Sequence, residues 1–399
     1  MNYYIEFDEN SSSDFTSAAS PLKSKFLSAL LPKGAYLCLD SGSLPEPAVN
    51  SPICLNLFMI PLIDSLFRSL RRPGFLLVLV LANCPLFAAP PEPVEGGFTL
   101  VVVPDSQIYT WKRPELYTLQ TGWIAANVDR YNMVRLLHVG DITQHDTAEQ
   151  WAAACRAHKV YAGLLPAVYA QGNHDIGYDG KYRNRESNFS QFIPLDDYSR
   201  EPGFGGVYDR EPQRSENSYH LFEAGGRGWI VLALEFAPRD DVLRWANEVV
   251  ASHPDRLAIL LTHGYLNADG KRYDRTIPAS PGDAWSHRGL NPFTTDQLDG
   301  GFNDGEDMWR KLVSRHANFA LVVCGHVCTS AHLASQGEHG NTVHQVLVDY
   351  QNAPQGGNGW LRLLQFLPDG RTVLVRDYSP LLDETSTDPA CAFEFQLDN

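Results

Sequence analysis

The chain has 399 residues and a formal net charge of −15, with 44% hydrophobic and 11% aromatic residues. This length allows one large domain or two of ordinary size, and the composition is typical of a globular fold with a sizeable core. The acidic balance argues against a nucleic-acid-binding protein, which needs basic residues to neutralise phosphates. A small phosphorylated ligand remains compatible with it, because a bound metal ion supplies local positive charge.

Residues 1–58 differ in character from the rest of the chain. They are rich in Ser, broken by Pro and without sustained hydrophobic periodicity, which predicts an unstructured segment. We interpret residues 1–58 as a misplaced upstream extension and expect translation to start at Met59.

Residues 59–89 follow the order of a secretory signal peptide, with basic residues, a short apolar run and then small residues. The apolar run, residues 75–82, is too short to span a membrane comfortably. We therefore predict a secreted or periplasmic protein whose mature chain has no membrane span. The basic residues of this segment are Arg68, Arg71 and Arg72.

From residue 96 to residue 399 the sequence alternates apolar strands with amphipathic helices, which predicts a single α/β domain with helices on the faces of a sheet. Helical spacing covers residues 114–132, 146–162, 239–252 and 305–316, and long loops are predicted at 176–215 and 265–303. The predicted strands lie, in chain order, in the stretches FTLVVVPDSQ, VRLLHVGDIT, LPAVYAQGNHD, SYHLFEAGGRGWIVLALEF (two strands around a Gly-rich turn), RLAILLTHGY, FALVVCGHV, TVHQVLVDYQ and GWLRLLQFLPDGRTVLVRDYSP (two strands and a Pro-Asp-Gly turn).

Polar side chains with metal-binding chemistry follow five of these apolar strands. A single Gly-Asp or Gly-Asn-His-Asp is more often a turn, and a single strand-end histidine is more often structural, as we expect for His138. In α/β sheets, ligands bind beyond the carboxyl ends of the strands, so the ordered set predicts a site for a hard or borderline divalent metal. The residues are Asp105, Gln107, Asp141, Asn173, His174, Asp175, His263 and His326.

The ordered series PDSQ, GD, GNHD, TH and GH resembles the calcineurin-like metallophosphoesterase superfamily over roughly residues 98–380. The resemblance implies a four-layer α/β/β/α sandwich, two divalent metal ions (Mn, Zn or Fe), and hydrolysis of phosphomonoesters or phosphodiesters by a metal-bound hydroxide. It fits the chemistry, because two neighbouring divalent ions share a hydroxide and clamp phosphoryl oxygens.

The resemblance also implies a role for each strand-end residue. Asp141 would bridge both metals, Asp105 would bind the first metal, and His174 would face the substrate as a general acid with Asp175 holding its imidazole. The second metal would be bound by Asn173, His263 and His326.

Two positions depart from the usual motifs, and both belong to the first metal. Gln107 stands where the superfamily has a histidine, and Cys328 stands where the last motif has its second histidine. Gln107 still offers a carbonyl oxygen, whereas Cys328 is either a thiolate ligand or a small buried residue that binds nothing. The departures leave two alternatives open: a one-metal hydrolase, or a metal-containing binding protein without turnover.

Four loop residues are candidates for binding a small phosphorylated substrate, which is the only partner that the sequence predicts. Arginines grip phosphate in bidentate fashion, although ordinary surface ion pairs explain loop arginines equally well. The candidates are Arg183, Arg239, Trp285 and His287.

Overall fold

The computed structural model describes residues 89–178, 185–277 and 301–398. The predicted extension 1–58 lies outside these residues, as does the signal segment 59–89 except for its last position. Within the described part of the chain, no helix has the length and apolar character needed to cross a membrane.

Fourteen strands and seven α-helices, together with a short helical turn at Pro354–Gly357, carry the fold of the described residues. The strands are β1 (Phe98–Val103), β2 (Met133–His138), β3 (Ala167–Tyr169), β4 (Phe204–Val207), β5 (Ser218–Ala224), β6 (Arg227–Ala233), β7 (Arg256–Leu261), β8 (Phe319–Cys324), β9 (Ser330–Gln336), β10 (Thr342–Val348), β11 (Leu361–Phe366), β12 (Thr372–Ser379), β13 (Glu384–Thr385) and β14 (Ala392–Gln396). The helices are α1 (Gln107–Lys112), α2 (Pro114–Asn127), α3 (Ala148–His158), α4 (Phe189–Phe192), α5 (Leu195–Tyr198), α6 (Asp240–Ala251) and α7 (Gly305–Lys311).

The strands form two seven-stranded mixed sheets. The first has the order β13-β12-β11-β1-β2-β3, with β14 paired to β12, and the second has the order β4-β5-β6-β7-β8-β10-β9. Strands β1, β2 and β3 are parallel to one another, and so are β6, β7, β8 and β10. The parallel strands of each sheet therefore present their carboxyl ends together.

Alternate residues of the central strands pack into different layers. In β1, Leu100 and Val102 belong to the cluster between the two sheets, whereas Val101 packs with residues of α2 and α3. In β8, Val323 faces the space between the sheets and Val322 packs with residues of α6 and α7. Because both faces of each strand are covered, these strands are continuous apolar runs. The predicted four-layer α/β/β/α sandwich is confirmed.

Most of the long elements agree with the sequence pattern, but strands β9 and β14 and several short elements were not predicted. Helix α6 lies within one residue of its predicted bounds, and a Pro-Asp-Gly turn joins β11 to β12 as predicted. The prediction of a bare loop at 176–215 is wrong, because α4, α5 and β4 lie within it. Each of these elements has four residues, too few to show a hydrophobic period.

Candidate metal centre

Asp141, His263 and His326 form the core of the site. They offer one ligand atom each, and these atoms lie within 4.8 Å of one another, with all three residues buried. Asp141 follows β2 of the first sheet, whereas His263 and His326 follow β7 and β8 of the second. The two sheets therefore meet at their carboxyl ends to build one centre, and the strand-end residues are divided between two sheets rather than gathered on one.

The His263 imidazole is held with one nitrogen facing the other ligands. Its Nδ1 lies 2.9 Å from the carbonyl oxygen of Val139, and because a carbonyl only accepts, Nδ1 carries the proton. Its Nε2 lies 3.2 Å from Asp141 Oδ1, 3.2 Å from Asn173 Oδ1 and 4.0 Å from Asp105 Oδ2. A backbone carbonyl on one ring nitrogen is the usual way in which proteins orient a metal-binding histidine.

His326 brings a second imidazole to the same point. Its Nδ1 lies 3.2 Å from His263 Nε2, and its Nε2 is buried without a hydrogen-bond partner among the described residues. Burial, followed by the neighbouring His263, lowers the pKa of His326 to about 3. Its backbone φ of +78° is unfavourable for a residue with a side chain, and strain of this kind is concentrated at functional sites.

Asp141 contacts both His174 and His263. Its Oδ1 accepts the backbone N–H of His174 at 2.9 Å and lies 3.2 Å from His263 Nε2. Burial alone would raise the pKa of Asp141, but His263 and His174 outweigh it and hold that pKa below its usual range. Asp141 therefore stays ionised in the interior, as a metal-binding carboxylate must.

Asp105 lies against the backbone that carries His326. Its carboxylate accepts the His326 backbone N–H, at 3.2 Å to Oδ2. The approach requires glycine next to the histidine, because a Cβ on Gly325 would fall 2.3 Å from Asp105 Oδ1. Gly172 is required for the same reason, since its Cβ would fall 2.1 Å from Asp141 Oδ1. The glycines of the GH and GNHD motifs thus serve to let carboxylates approach the backbone.

His174 and Asp175 are not paired in the way that the resemblance implies. His174 Nδ1 lies 2.9 Å from the carbonyl oxygen of Gln144, a residue that the sequence reasoning did not single out. The Asp175 carboxylate instead accepts backbone N–H groups, from Thr143 at 2.8 Å and from Gly172 at 2.9 Å. The expectation that Asp175 holds the imidazole is therefore corrected: Asp175 fixes two backbone segments of the site, and Gln144 orients His174.

The first-metal side contains a carboxylate that the sequence reasoning missed. Gln107 Nε2 donates to Gln351 Oε1, and Gln351 donates through Nε2 to Cys328 Sγ at 3.3 Å and through its backbone N–H to Asp349 Oδ1 at 2.8 Å. Asp349 follows β10, and the sequence signal was present, since its apolar run is followed by a residue with metal-binding chemistry, as the other site strands are. Gln107 is thus linked through its Nε2 and Gln351 to Cys328 and Asp349, while its Oε1 makes no hydrogen bond in the described part of the chain.

Burial of Asp105 and Asp349 without a Lys or Arg partner disfavours their ionised forms. Burial, and then the charges of Asp349 and Asp141, raise the pKa of Asp105 well above its usual range. Burial is also the main cause that raises the pKa of Asp349 to about 7. Burial and the charge of Asp349 raise the pKa of the Cys328 thiol, so that the sulfur is protonated beside them.

The structure rules out one of the four candidate substrate-binding residues, and the other three lie outside the described residues. Arg239 donates to Glu211 through both terminal nitrogens at 2.8 Å and to Glu235 through Nε at 2.9 Å. Its guanidinium is thus fully engaged, and the expectation that it binds substrate is corrected. The candidates outside the described residues are Arg183, Trp285 and His287.

The donor set fits divalent metal ions. His326 Nε2, Gln107 Oε1 and Asp349 Oδ2 are buried without hydrogen-bond partners in the described part of the chain, and such orphaned groups are costly unless something else satisfies them. Carboxylates, amide oxygens and neutral imidazoles are the ligands that borderline and hard divalent ions prefer.

The calcineurin-like phosphoesterase family matches residues 123–330, which is more than half of the 399-residue chain. This match includes the GD, GNHD, TH and GH motifs. The chain belongs to the calcineurin-like phosphoesterase family, a class of metal-dependent phosphoester hydrolases.

Among curated relatives, the chain is 31% identical over 303 residues to the uncharacterized protein YvnB of Bacillus subtilis (strain 168). The alignment covers 73% of this chain and 20% of YvnB, so the chain spans a fifth of the length of that relative.

Among solved structures, the chain is similar to purple acid phosphatase PPD1 from yellow lupin (Lupinus luteus) seeds, with 13% identity and a TM-score of 0.47 over 78% of this chain and 55% of that one. It is also similar to GAP50, the anchor in the inner membrane complex of Plasmodium, with 8% identity and a TM-score of 0.41 over 76% and 90% of the respective chains.

Proposed function

We propose that this chain is an exported phosphoesterase that hydrolyses phosphomonoesters or phosphodiesters of small molecules with the help of two divalent metal ions. The observation that carries the proposal is the buried group Asp141, His263 and His326, whose ligand atoms lie within 4.8 Å of one another where the carboxyl ends of both sheets meet. The order of basic, apolar and small residues at 59–89 supports export.

Divalent ions held at this centre supply an activated water and offset the charge of the phosphoryl oxygens. Asp141 and Asp105 would hold the first ion, with Asp141 shared. Asn173, His263 and His326 would hold the second ion.

His174 is positioned to act on the substrate. Because its Nδ1–H is donated to the Gln144 carbonyl oxygen at 2.9 Å, Nε2 is the nitrogen left to face a leaving group. The ring is half-buried, so part of it packs against its neighbours and part remains accessible to a substrate. His174 would donate the proton that the leaving alkoxide or phenoxide needs, and general acid catalysis of this kind contributes about 100- to 10,000-fold in rate.

The proposal is tested by hydrolysis of p-nitrophenyl phosphate and bis-p-nitrophenyl phosphate with Mn²⁺, Zn²⁺, Fe²⁺ or Mg²⁺. We expect metal-dependent turnover by the wild type, no measurable turnover by Asp141→Ala, and a loss of about 100-fold or more for His174→Ala. His339→Ala, which changes an exposed histidine, is the matched control and should retain full activity. Absence of turnover with every metal, or full activity of Asp141→Ala, would overturn the proposal.

A one-metal hydrolase is the second candidate. The observation in its favour is that the described residues contain a compact His and Asp group only at the second-metal side. It predicts one ion per chain at full activity, which elemental analysis of the active protein distinguishes from two.

A further inference from the structure

We infer that Asp349 is a ligand of the first metal ion and takes the place of the missing imidazoles at Gln107 and Cys328. The inference rests on the proposed metal-dependent function and adds a ligand that the family motifs do not contain. It makes the first half of the centre an all-oxygen site, beside a second half that contains two imidazoles.

Strand register places Asp349 at the centre. Strand β10 is parallel to β8, and Leu347 pairs with Cys324. Asp349 therefore follows β10 at the same sheet edge at which His326 follows β8. The Asp349 backbone N–H donates to the Thr329 carbonyl oxygen at 3.0 Å, which fixes this end of the strand beside the GHVC motif.

The Asp349 carboxylate is buried, and only one of its two oxygens accepts a backbone N–H. The residue is 2% exposed, and its Oδ1 accepts the Gln351 backbone N–H at 2.8 Å. Its Oδ2 accepts no N–H or O–H among the described residues, and the weakly donating Cys328 thiol is the neighbour of this carboxylate. Gln107, 4% exposed, leaves its Oε1 without a partner in the same part of the chain. Two buried oxygens with unused lone pairs on one side of the centre are what a cation would satisfy.

Among the described residues, His263 is the only cationic side chain in an ion pair with this group of carboxylates, and it pairs with Asp105 and Asp141 but not with Asp349. Asp105, Asp141 and Asp349 are each at most 2% exposed, and the ion pairs of the described residues include no Lys or Arg with any of them. The segment after β8 contacts both carboxylate residues, because the His326 backbone N–H donates to Asp105 Oδ2 at 3.2 Å and the Thr329 carbonyl oxygen accepts the Asp349 backbone N–H at 3.0 Å. A divalent ion between them would replace mutual repulsion with attraction.

A cavity borders the first half of the centre at Asp349 and Cys328. The cavity, of about 370 Å³, is lined by Asp349, Cys328, Ser330 and Asn352, among others. The first half of the centre would offer the carboxylates of Asp105, Asp141 and Asp349 and the amide oxygen of Gln107. Because these are hard ligands, this half should prefer Mn²⁺ or Mg²⁺, whereas the half with two imidazoles should accept Zn²⁺ as well.

The test is metal binding by the full-length, chelator-stripped protein, measured by calorimetric titration with Mn²⁺ and by electron paramagnetic resonance. We expect the wild type to bind two Mn²⁺ ions with a spin-coupled spectrum. Asp349→Asn should retain the second site, weaken the first by at least about 10-fold and give the spectrum of isolated Mn²⁺. Cys328→Ala should bind two ions as the wild type does.

Two further variants serve as controls for the effect of Asp349→Asn. Asp304→Asn is the matched control, because Asp304 is equally buried but caps α7 by accepting the Asp307 backbone N–H at 2.9 Å, a role that asparagine also fills. Asp349→Ser removes the carboxylate in a second way and should reproduce Asp349→Asn.

The inference is overturned if either neutral variant binds two Mn²⁺ with wild-type affinities, if Cys328→Ala loses an ion, or if the wild type binds only one. The proposed function fails separately, if the wild type binds metal but hydrolyses no phosphoester.

Discussion

Two groups of buried carboxylates in this fold have opposite surroundings. Asp377 is fully buried and receives the Arg362 guanidinium in bidentate fashion, at 2.6 Å to Oδ1 and 2.8 Å to Oδ2. Asp105 and Asp349 are almost as deeply buried, yet no Lys or Arg among the described residues pairs with them. A buried charge without a Lys or Arg counter-ion is costly, and we propose that a metal ion offsets this cost in the second group.

The largest effect should come from breaking the Arg362–Asp377 pair. Asp377→Asn leaves the buried Arg362 without its counter-ion, and removing one partner of such a pair costs about 3–5 kcal/mol. Urea unfolding of the metal-free protein measures this change. Asp209→Asn, at an exposed aspartate, should leave the free energy of unfolding unchanged. An equal stability of Asp377→Asn and the wild type would remove the contrast between the two groups.

An Asp-to-Asn substitution at the metal centre should instead increase the stability of the metal-free protein. Asp105→Asn removes one of the mutually repelling carboxylates while its side-chain oxygen can still accept the His326 N–H, so the metal-free protein should become more stable by about 2 kcal/mol. Added Mn²⁺ should stabilise this variant less than it stabilises the wild type. The measurement is urea unfolding with chelator and with Mn²⁺. Destabilisation of metal-free Asp105→Asn would mean that repulsion is not the dominant interaction at Asp105.

A smaller effect is expected at His220, a buried titratable group that stays neutral. Burial, and then the charge of Arg135, lower the pKa of His220 to about 3, whereas an unfolded histidine titrates near 6.5. The unfolded state therefore takes up a proton first, and stability is lost as the pH falls from 6.5 towards 3.

The corresponding experiment compares wild type and His220→Phe by urea unfolding of the metal-free protein at pH 6.5 and 5.5. The variant should lose about 1 kcal/mol less than the wild type over this interval. Phenylalanine suits the position, because the rings of Tyr198 and Phe204 lie 4.7 and 5.6 Å from the His220 ring. Equal losses in the two proteins would show that His220 does not contribute to acid unfolding.

Much of the fold and half of the centre follow from the pattern of apolar runs. Strands buried on both faces can be recognised in the sequence as continuous apolar stretches. Where such strands are parallel, their carboxyl ends lie at the same edge of the sheet. This is why Asp141, Asn173, His263 and His326 were predicted together and lie in contact. The division of these strands between two sheets followed only from the family resemblance, because periodicity gives no information on which strands pair.

The rest of the centre depends on contacts between distant residues. Arg239 resembled a phosphate ligand until the structure placed Glu211 and Glu235 on its guanidinium. Asp175 follows His174 in sequence, but the 3₁₀ turn at Asn173–Asp175 directs its carboxylate to the backbone. Asp349 ends an apolar run like the other ligands, yet a single Asp before Tyr is common in loops, and only its burial beside Asp105 sets it apart.

The most direct test of the account is a metal titration of activity. Chelator-stripped wild-type protein would be assayed for bis-p-nitrophenyl phosphate hydrolysis while Mn²⁺ is added in known ratio to the chain. The account predicts no turnover without metal and a rise that ends at two equivalents per chain. Full turnover in the stripped protein, or a rise complete at one equivalent, would contradict a two-metal centre built on Asp141.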